Sequence, residues 1–322
     1  MHVLVVGGAG YIGSHMVLML AEQGHEVTVF DNFSTGYRDA ILTGRIVEGD
    51  LADTVALERL FSSNRFDAVM HFASFIQVGE SVREPLKYYR NNASNTLNLL
   101  EAMVRHKVLQ FVFSSTAAVF GEPQHVPIDE THPQSPVNPY GASKLMVERM
   151  LADFETAYGL RAVSLRYFNA AGADPQGRLG ERHEPETHLI PLVLEAAIGK
   201  RPHITVFGRD YDTPDGTCIR DYIHIVDLCS AHLAALDYLA AGKAGAFNLG
   251  NGAGYSVDEV IRVSREVTGK EIPVQYGERR AGDPARLVAD ATRARAELKW
   301  QPRYADLPTI IAHAWQWASK RH

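Results

Sequence analysis

Residues 3–13 read Val3-Leu4-Val5-Val6-Gly7-Gly8-Ala9-Gly10-Tyr11-Ile12-Gly13. The apolar, mostly β-branched run predicts a buried strand that ends at Gly7, and residues 10–20 predict a helix. Glycines at 7, 10 and 13 sit between the two. In a strand–turn–helix of this kind the first glycine permits the tight bend. The second lets backbone approach a pyrophosphate, and the third lets the helix pack closely on the strand. The helix start, with Tyr11 and Ile12, supplies N–H donors and the positive end of its dipole to phosphate. Three such glycines also arise by chance in flexible loops. The flanking strand and helix, and an acid at the end of the next strand, give the pattern its meaning.

That acid is Asp31. The run Val27-Thr28-Val29-Phe30 predicts a second strand, which stops at Asp31-Asn32. A carboxylate there accepts hydrogen bonds from adenosine ribose hydroxyls and repels a 2′-phosphate, so the expected cofactor is NAD rather than NADP. A cap or turn role for Asp31 is the plainer alternative. Ile46-Val47 predicts a third, weak strand before Gly49-Asp50-Leu51, where Asp50 would approach the adenine. Ala68-Val69-Met70 leads to His71-Phe72-Ala73-Ser74, with Phe72 and Ala73 beside the cofactor and His71 read as a buried structural histidine. Further strands are expected at 111–113 and 162–165, with helices between them at 97–104 and 142–151. Near-continuous apolar strands alternating with helices predict an α/β fold: a Rossmann-type, doubly wound parallel sheet covered on both faces. Its ligands gather outside the carboxyl ends of the strands.

Beyond residue 172 this rhythm fails. Residues 173–186 are rich in Gly, Pro and charge, which predicts a boundary. Helices are expected at 188–198, 226–239 and 257–268, and a strand at 204–207. The expected division is an NAD-binding domain over 1–172 and a smaller mixed α/β substrate domain over 173–322, some of whose segments pack back on the first. A length of 322 residues fits two domains. A net charge of −6 offers nucleic acid or anionic membrane no general attraction. Two cysteines, Cys218 and Cys229, form neither a disulfide framework nor a metal motif and fit a reducing compartment. No apolar run reaches the ~18 residues of a membrane span, and the N-terminus does not read as a signal peptide. A cytoplasmic location is expected.

The chemistry resides at two further strand ends. Ser114-Ser115-Thr116 follows the strand 111–113, and Tyr140-Gly141-Ala142-Ser143-Lys144 opens a helix. Tyr140 and Lys144, at i and i+4, share one helical face. A tyrosine with an ordinary pKa near 10 needs a nearby ammonium and a cationic nicotinamide to act as a base at neutral pH. Thr116 is placed to share a short hydrogen bond with the substrate oxygen. Alone, Tyr-x-x-x-Lys is an ordinary amphipathic face; the dinucleotide turn and the hydroxyl-bearing strand end reverse that reading.

With these motifs in this order the chain resembles the extended short-chain dehydrogenase/reductase family, and within it the 4-epimerases of nucleotide sugars. The similarity runs from Val3 to about Trp300. Beyond the motifs above it includes Asn91-Asn92, Arg166-Tyr167-Phe168-Asn169, Arg220-Asp221-Tyr222 and Arg279-Arg280-Ala281-Gly282-Asp283. The resemblance implies reversible epimerisation at C4 of UDP-glucose/UDP-galactose through a 4-keto sugar, with retained NAD and Tyr140 as acid/base beside Thr116 and Lys144. Asn91 would border the nicotinamide and brace the Lys144 region, and Phe168 would contact the cofactor. Asn169 and Arg220 would hold the UDP-sugar diphosphate. Leu189, Phe207 and Tyr222 would enclose the uridine, and Asp283 its ribose. His188 would be either a substrate contact or a structural helix residue. Read without the family, Arg220 is an ion-pair partner of Asp221, Asp283 a turn residue, and Phe207 and Leu189 core. A homodimer is implied as well.

Thr116-Ala117-Ala118 lacks the acidic residue that dehydration at C5 and C6 needs, which favours simple epimerisation. Several positions depart from close relatives: Ile76 replaces a common Lys, Phe120 a Tyr, and Leu287 stands where some members carry a bulky Tyr. The last leaves UDP-N-acetylhexosamines open as substrates, and UDP-pentoses are a further alternative. An NAD-sensing binding protein without turnover is the alternative of a different class, and it has little need for Tyr140, Lys144 and Thr116. His183 and His188 with Glu184 and Glu186 form a loose group of metal-type residues that a loop explains equally well. The implied chemistry needs no metal.

Overall fold

A computed structural model describes residues 1–280 and 283–320. Ala281 and Gly282 of the expected Arg279–Asp283 segment lie outside the described residues. Six strands of the first half, His2–Val6 (β1), Glu26–Asp31 (β2), Arg45–Glu48 (β3), Ala68–His71 (β4), Gln110–Ser114 (β5) and Arg161–Tyr167 (β6), lie in the order β3-β2-β1-β4-β5-β6. All pairs are parallel. The order reverses between β1 and β4, and their carboxyl ends, in register at Val6 and His71, flank the crevice where such sheets bind ligands.

Period-two alternation in β1 feeds two cores. Val3 and Val5 join Met16, Val17 and Leu20 on one face. Leu4 and Val6 join Leu57, Phe61, Leu99 and Met103 on the other. All four β1 residues are essentially inaccessible, the condition that makes a strand apolar without interruption.

Segments beyond residue 172 return to the sheet. Helix Ile225–Ala240 packs on the same face as helix Tyr11–Glu22. Strand Gly245–Leu249 then pairs in parallel with β6 as the seventh strand of the sheet. Helices Leu189–Ala197, Val257–Thr268 and Leu307–Lys320 build a separate core around Ile190, Leu194, Val260 and Ile310. Asp221 ties the two regions together. Its buried carboxylate accepts backbone N–H bonds from Asn251 (2.8 Å), Gly252 (3.0 Å) and Ala289 (3.1 Å). Burial pushes its pKa up, and those three bonds oppose the shift. Asp221 is therefore not the partner of Arg220.

The helix expected at 142–151 is longer, Pro139–Tyr158. Asn138 caps it by accepting from Gly141 N at 2.9 Å, Pro139 supplies the first turn, and Gly159, at φ 71°, ends it. This helix carries Tyr140 and Lys144 into the crevice.

Candidate active site

The glycine turn is shaped by contacts that exclude side chains. Gly7 has φ +80°, and a Cβ there would lie 2.4 Å from Ala73 N; a Cβ on Gly13 would lie 2.1 Å from Gly7 O. These two glycines are required by the fold itself. Gly10 differs: its added Cβ would meet only Gly7 O, at 3.6 Å, so protein packing does not demand glycine there. Gly10 is the N-cap of helix Tyr11–Glu22, no side chain caps that end, and no acidic residue stands in its first turn. The first-turn N–H groups lack intrahelical acceptors by geometry, which together with the dipole makes an anion site. A dinucleotide pyrophosphate fits this donor set.

Asp31 is buried at the end of β2. Its Oδ2 accepts from Ala9 N and its Oδ1 from Phe33 N, both at 2.8 Å. Burial raises its pKa against those two bonds. The carboxylate thus fixes the glycine turn, and its remaining lone pairs are available to a ribose. Asn32 donates to Asp50 Oδ2 at 2.7 Å, joining the ends of β2 and β3, and Asn98 donates to Leu51 O at 3.0 Å. Phe72 packs near the His232 ring at 4.9 Å. His71 is a structural histidine, bonded through Nε2 to Thr96 Oγ1 at 2.9 Å.

The residues expected to transfer a proton lie just after β5 and at the start of helix Pro139–Tyr158. Tyr140 and Thr116 are both buried. Burial raises the Tyr140 pKa, and the neighbouring Thr116 hydroxyl opposes the shift. Lys144 does not point its ammonium at the phenol. Its Nζ donates to Ser74 Oγ and to Ser114 O, each at 2.7 Å, spanning the ends of β4 and β5. Burial pulls its pKa down to about 7, with Glu148 acting in the opposite sense.

The residue that braces this region is Asn92 rather than Asn91. Asn92 donates to Phe75 O (3.0 Å) and Ser143 Oγ (3.1 Å), while Asn91 only donates to Asn92 Oδ1 at 3.0 Å. Both lie in a wide π-type turn, Tyr89–Ser94. Glu148, one turn after Lys144, was not legible as a site residue. It accepts from Ser115 Oγ (2.5 Å) and pairs with Arg166 (2.5 Å), side chains 8% and 6% exposed. Its only signal was the i+4 spacing from Lys144.

Of the residues expected around a nucleotide-sugar, Asn169 follows the carboxyl end of β6. Strand Asn169–Ala171 pairs with Tyr222–His224, setting Asn169 opposite Tyr222, and Asn169 Nδ2 donates to Asp221 O at 2.9 Å. Arg220 forms an ion pair with Asp283 and donates to Ile219 O at 2.8 Å. Leu189 and Tyr222 share one apolar cluster. Phe207 is not core: it is 36% exposed, with the Arg280 guanidinium 4.0 Å above its ring. Leu287, in register with Arg220, packs with Phe168 and Val119 behind Thr116. His188 turns its Nδ1 toward Glu181 and Glu186. Thr116 caps the turn Ala117–Val119 by accepting from Ala118 N at 3.1 Å, so apolar residues follow it directly.

Residues 3–250 match the NAD dependent epimerase/dehydratase family. The chain belongs to that family. Within it, the chain groups with UDP-glucose 4-epimerases. It is 52% identical over 318 residues to the UDP-glucose 4-epimerase of Halalkalibacterium halodurans, covering 98% of this chain and 95% of the relative. Among solved structures, the UDP-glucose 4-epimerase of Brucella ovis in complex with NAD superposes with TM-score 0.96 at 49% identity, covering 98% and 97% of the two chains. That of Bifidobacterium longum in complex with NAD+ and UDP gives 0.94 at 40% identity, covering 99% and 98%. Among the described residues of this epimerase-family chain, no helix is long and apolar enough to cross a membrane.

Proposed function

We propose that this chain interconverts UDP-glucose and UDP-galactose by epimerisation at C4, retaining NAD as a prosthetic group. The observation that carries the reading is the buried Tyr140, with the Thr116 hydroxyl near enough to favour its phenolate, on the helix that also anchors Lys144 between two strand ends. Bound NAD+ would supply the oxidising equivalent at C4, return it in reduced form, and bring a positive ring that favours the phenolate. Gly10 and the first turn of its helix bind the pyrophosphate, and Asp31 the adenosine ribose.

Tyr140 accepts the proton of the sugar 4-hydroxyl and returns it to the C4 oxygen when the 4-keto sugar, turned to present its other face, is reduced again. Thr116 orients that proton by hydrogen bonding to the same oxygen. Lys144 holds Ser74 and Ser114, and so keeps the ends of β4 and β5 at a fixed separation. Asn169 and Arg220 hold the diphosphate, Leu189, Phe207 and Tyr222 enclose the uridine and Asp283 holds its ribose, which leaves the sugar free to turn about that linkage. Ala117 and Ala118 offer no proton relay, which supports epimerisation over elimination. A homodimer in the cytoplasm is part of the same reading.

The test is purified protein incubated with UDP-galactose and assayed for UDP-glucose, alongside release and quantification of bound NAD after denaturation. Interconversion with bound NAD is expected, and Tyr140→Phe should abolish turnover while retaining the cofactor. Full activity in Tyr140→Phe removes Tyr140 from the acid/base role. Bound NAD with no interconversion of any UDP-hexose, UDP-pentose or UDP-N-acetylhexosamine pair sinks the enzymatic reading.

A further inference from the structure

Glu181 to His188 spans eight residues, and within that span four side chains converge. The glutamate expected in this group, Glu184, is not among them; Glu181 is. One candidate ligand atom from each of Glu181, His183, Glu186 and His188 lies within 4.8 Å of all the others. Both carboxylate side chains are 7% exposed and the histidines 22% and 38%. His183 Nδ1 stands 3.3 Å from Glu181 Oε1 and 3.4 Å from Glu186 Oε2. His188 Nδ1 stands 2.8 Å from Glu181 Oε1 and 3.3 Å from Glu186 Oε1.

Those separations are short, yet they are not hydrogen bonds. Glu181 Oε1, His183 Nδ1 and His188 Nδ1 are buried without a hydrogen-bond partner, because the ring N–H directions miss the oxygens. Buried polar atoms without partners are costly, and three in one cluster need a common explanation. Four-coordinate zinc with bonds near 2.05 Å has ligand–ligand edges of about 3.3–3.5 Å. With either Glu186 oxygen as its single ligand atom, two of the three nitrogen–oxygen separations match that edge, and the shortest opens by about half an ångström to join them.

We infer that Glu181, His183, Glu186 and His188 form a closed, structural site for a divalent transition ion, zinc being the one their two nitrogens and two oxygens suit best. Two carboxylates and two neutral imidazoles balance the ion's charge. Glu186 is already held as a ligand should be, since its Oε1 accepts from Thr187 N (2.7 Å) and His188 N (2.9 Å). Such outer-shell bonds fix a ligand's orientation. Four protein ligands leave no open position, so the ion braces and does not react. It would lock the segment that runs from Gly180, across the edge of the Tyr11 ring 6.3 Å from His183, to the start of helix Leu189–Ala197. The glycine turn and the nucleotide-sugar region would thereby be joined. The inference stands apart from the proposed epimerase activity.

The test uses the full chain with its cofactor. Protein loaded with zinc sulfate and freed of excess is analysed by elemental mass spectrometry, with pyridylazoresorcinol as competing chelator. About one zinc per chain is expected, falling at least about tenfold in His183→Gln and in Glu186→Gln. Cobalt(II) in the parent should give the strong visible absorption of a tetrahedral ion, absent from both variants. Circular dichroism of each variant checks folding; if His183→Gln does not fold, Glu186→Gln and the cobalt spectrum of the parent decide. Less than about 0.1 zinc per parent chain, or an octahedral cobalt spectrum, overturns the inference. Equal zinc in parent and folded variants does so too, and would mean two imidazolium–carboxylate pairs with adventitious metal elsewhere.

Discussion

Replacing Gly10 by alanine separates what the fold requires from what the cofactor requires. The backbone at Gly10, φ −77° and ψ 174°, is open to any L-residue, and the added methyl meets only Gly7 O at 3.6 Å. The folding cost is then the weaker N-cap preference of alanine, about 0.5–1 kcal/mol. The same methyl projects where backbone must approach the pyrophosphate. Loss of one charge-assisted N–H bond costs about 1.5–3 kcal/mol, which is roughly a 10- to 150-fold loss of NAD affinity. Gly13→Ala is the contrast: its Cβ would stand 2.1 Å from Gly7 O, so backbone must move and stability falls with affinity. Urea unfolding and calorimetric NAD titration of the cofactor-stripped proteins measure the two quantities. Retained wild-type affinity in Gly10→Ala, or a stability loss equal to that of Gly13→Ala, refutes the placement of the pyrophosphate at this turn.

Glu148→Ala leaves the Arg166 guanidinium, 6% exposed, buried without its carboxylate and should cost about 3–5 kcal/mol in urea unfolding; a loss below about 1 kcal/mol would show that the pair is solvated. The protein should also lose stability in mild acid. Burial lowers the pKa of His71 to about 3, aided by Lys144, and that of His232 to about 4. Both folded values lie below the ordinary 6.5, so as pH falls from 6.5 toward 4 the unfolded chain takes up protons that the folded chain refuses. The stabilisation is complete above that window and declines by about 1.4 kcal/mol per pH unit for each ring. His71→Asn and His232→Asn should each flatten the fall between about pH 7 and about pH 5 by up to ~2 kcal/mol; unchanged pH dependence in both would show that neither ring is held neutral.

The features legible in the chain are those whose partners are close in sequence. A strand running into Gly7, Gly10 and Gly13, an acid at the end of the next strand, and Tyr140 and Lys144 one helical turn apart are each local patterns. Backbone sterics and the 3.6-residue period fix their geometry before any tertiary contact forms. The extra length of helix Pro139–Tyr158 follows from its Asn138 cap and its Gly159 stop, both visible in the sequence though not used to set its ends.

What the sequence by itself determined is therefore the sheet, the glycine turn and the candidates for proton transfer. Tertiary structure decided which neighbours those residues have. Strand Gly245–Leu249 completes a sheet whose other strands end 78 residues earlier at Tyr167, and apolar content alone does not say which edge it joins. Lys144 reaches Ser74 and Ser114 rather than Tyr140, Asn92 takes the bracing role in place of Asn91, and Arg220 pairs with Asp283 while Asp221 collects three backbone donors. Each outcome depends on distances set by packing between segments far apart in the chain. The Glu181–His188 cluster is close in sequence, yet a one-dimensional spacing does not say which way four side chains turn; burial against the rest of the fold does.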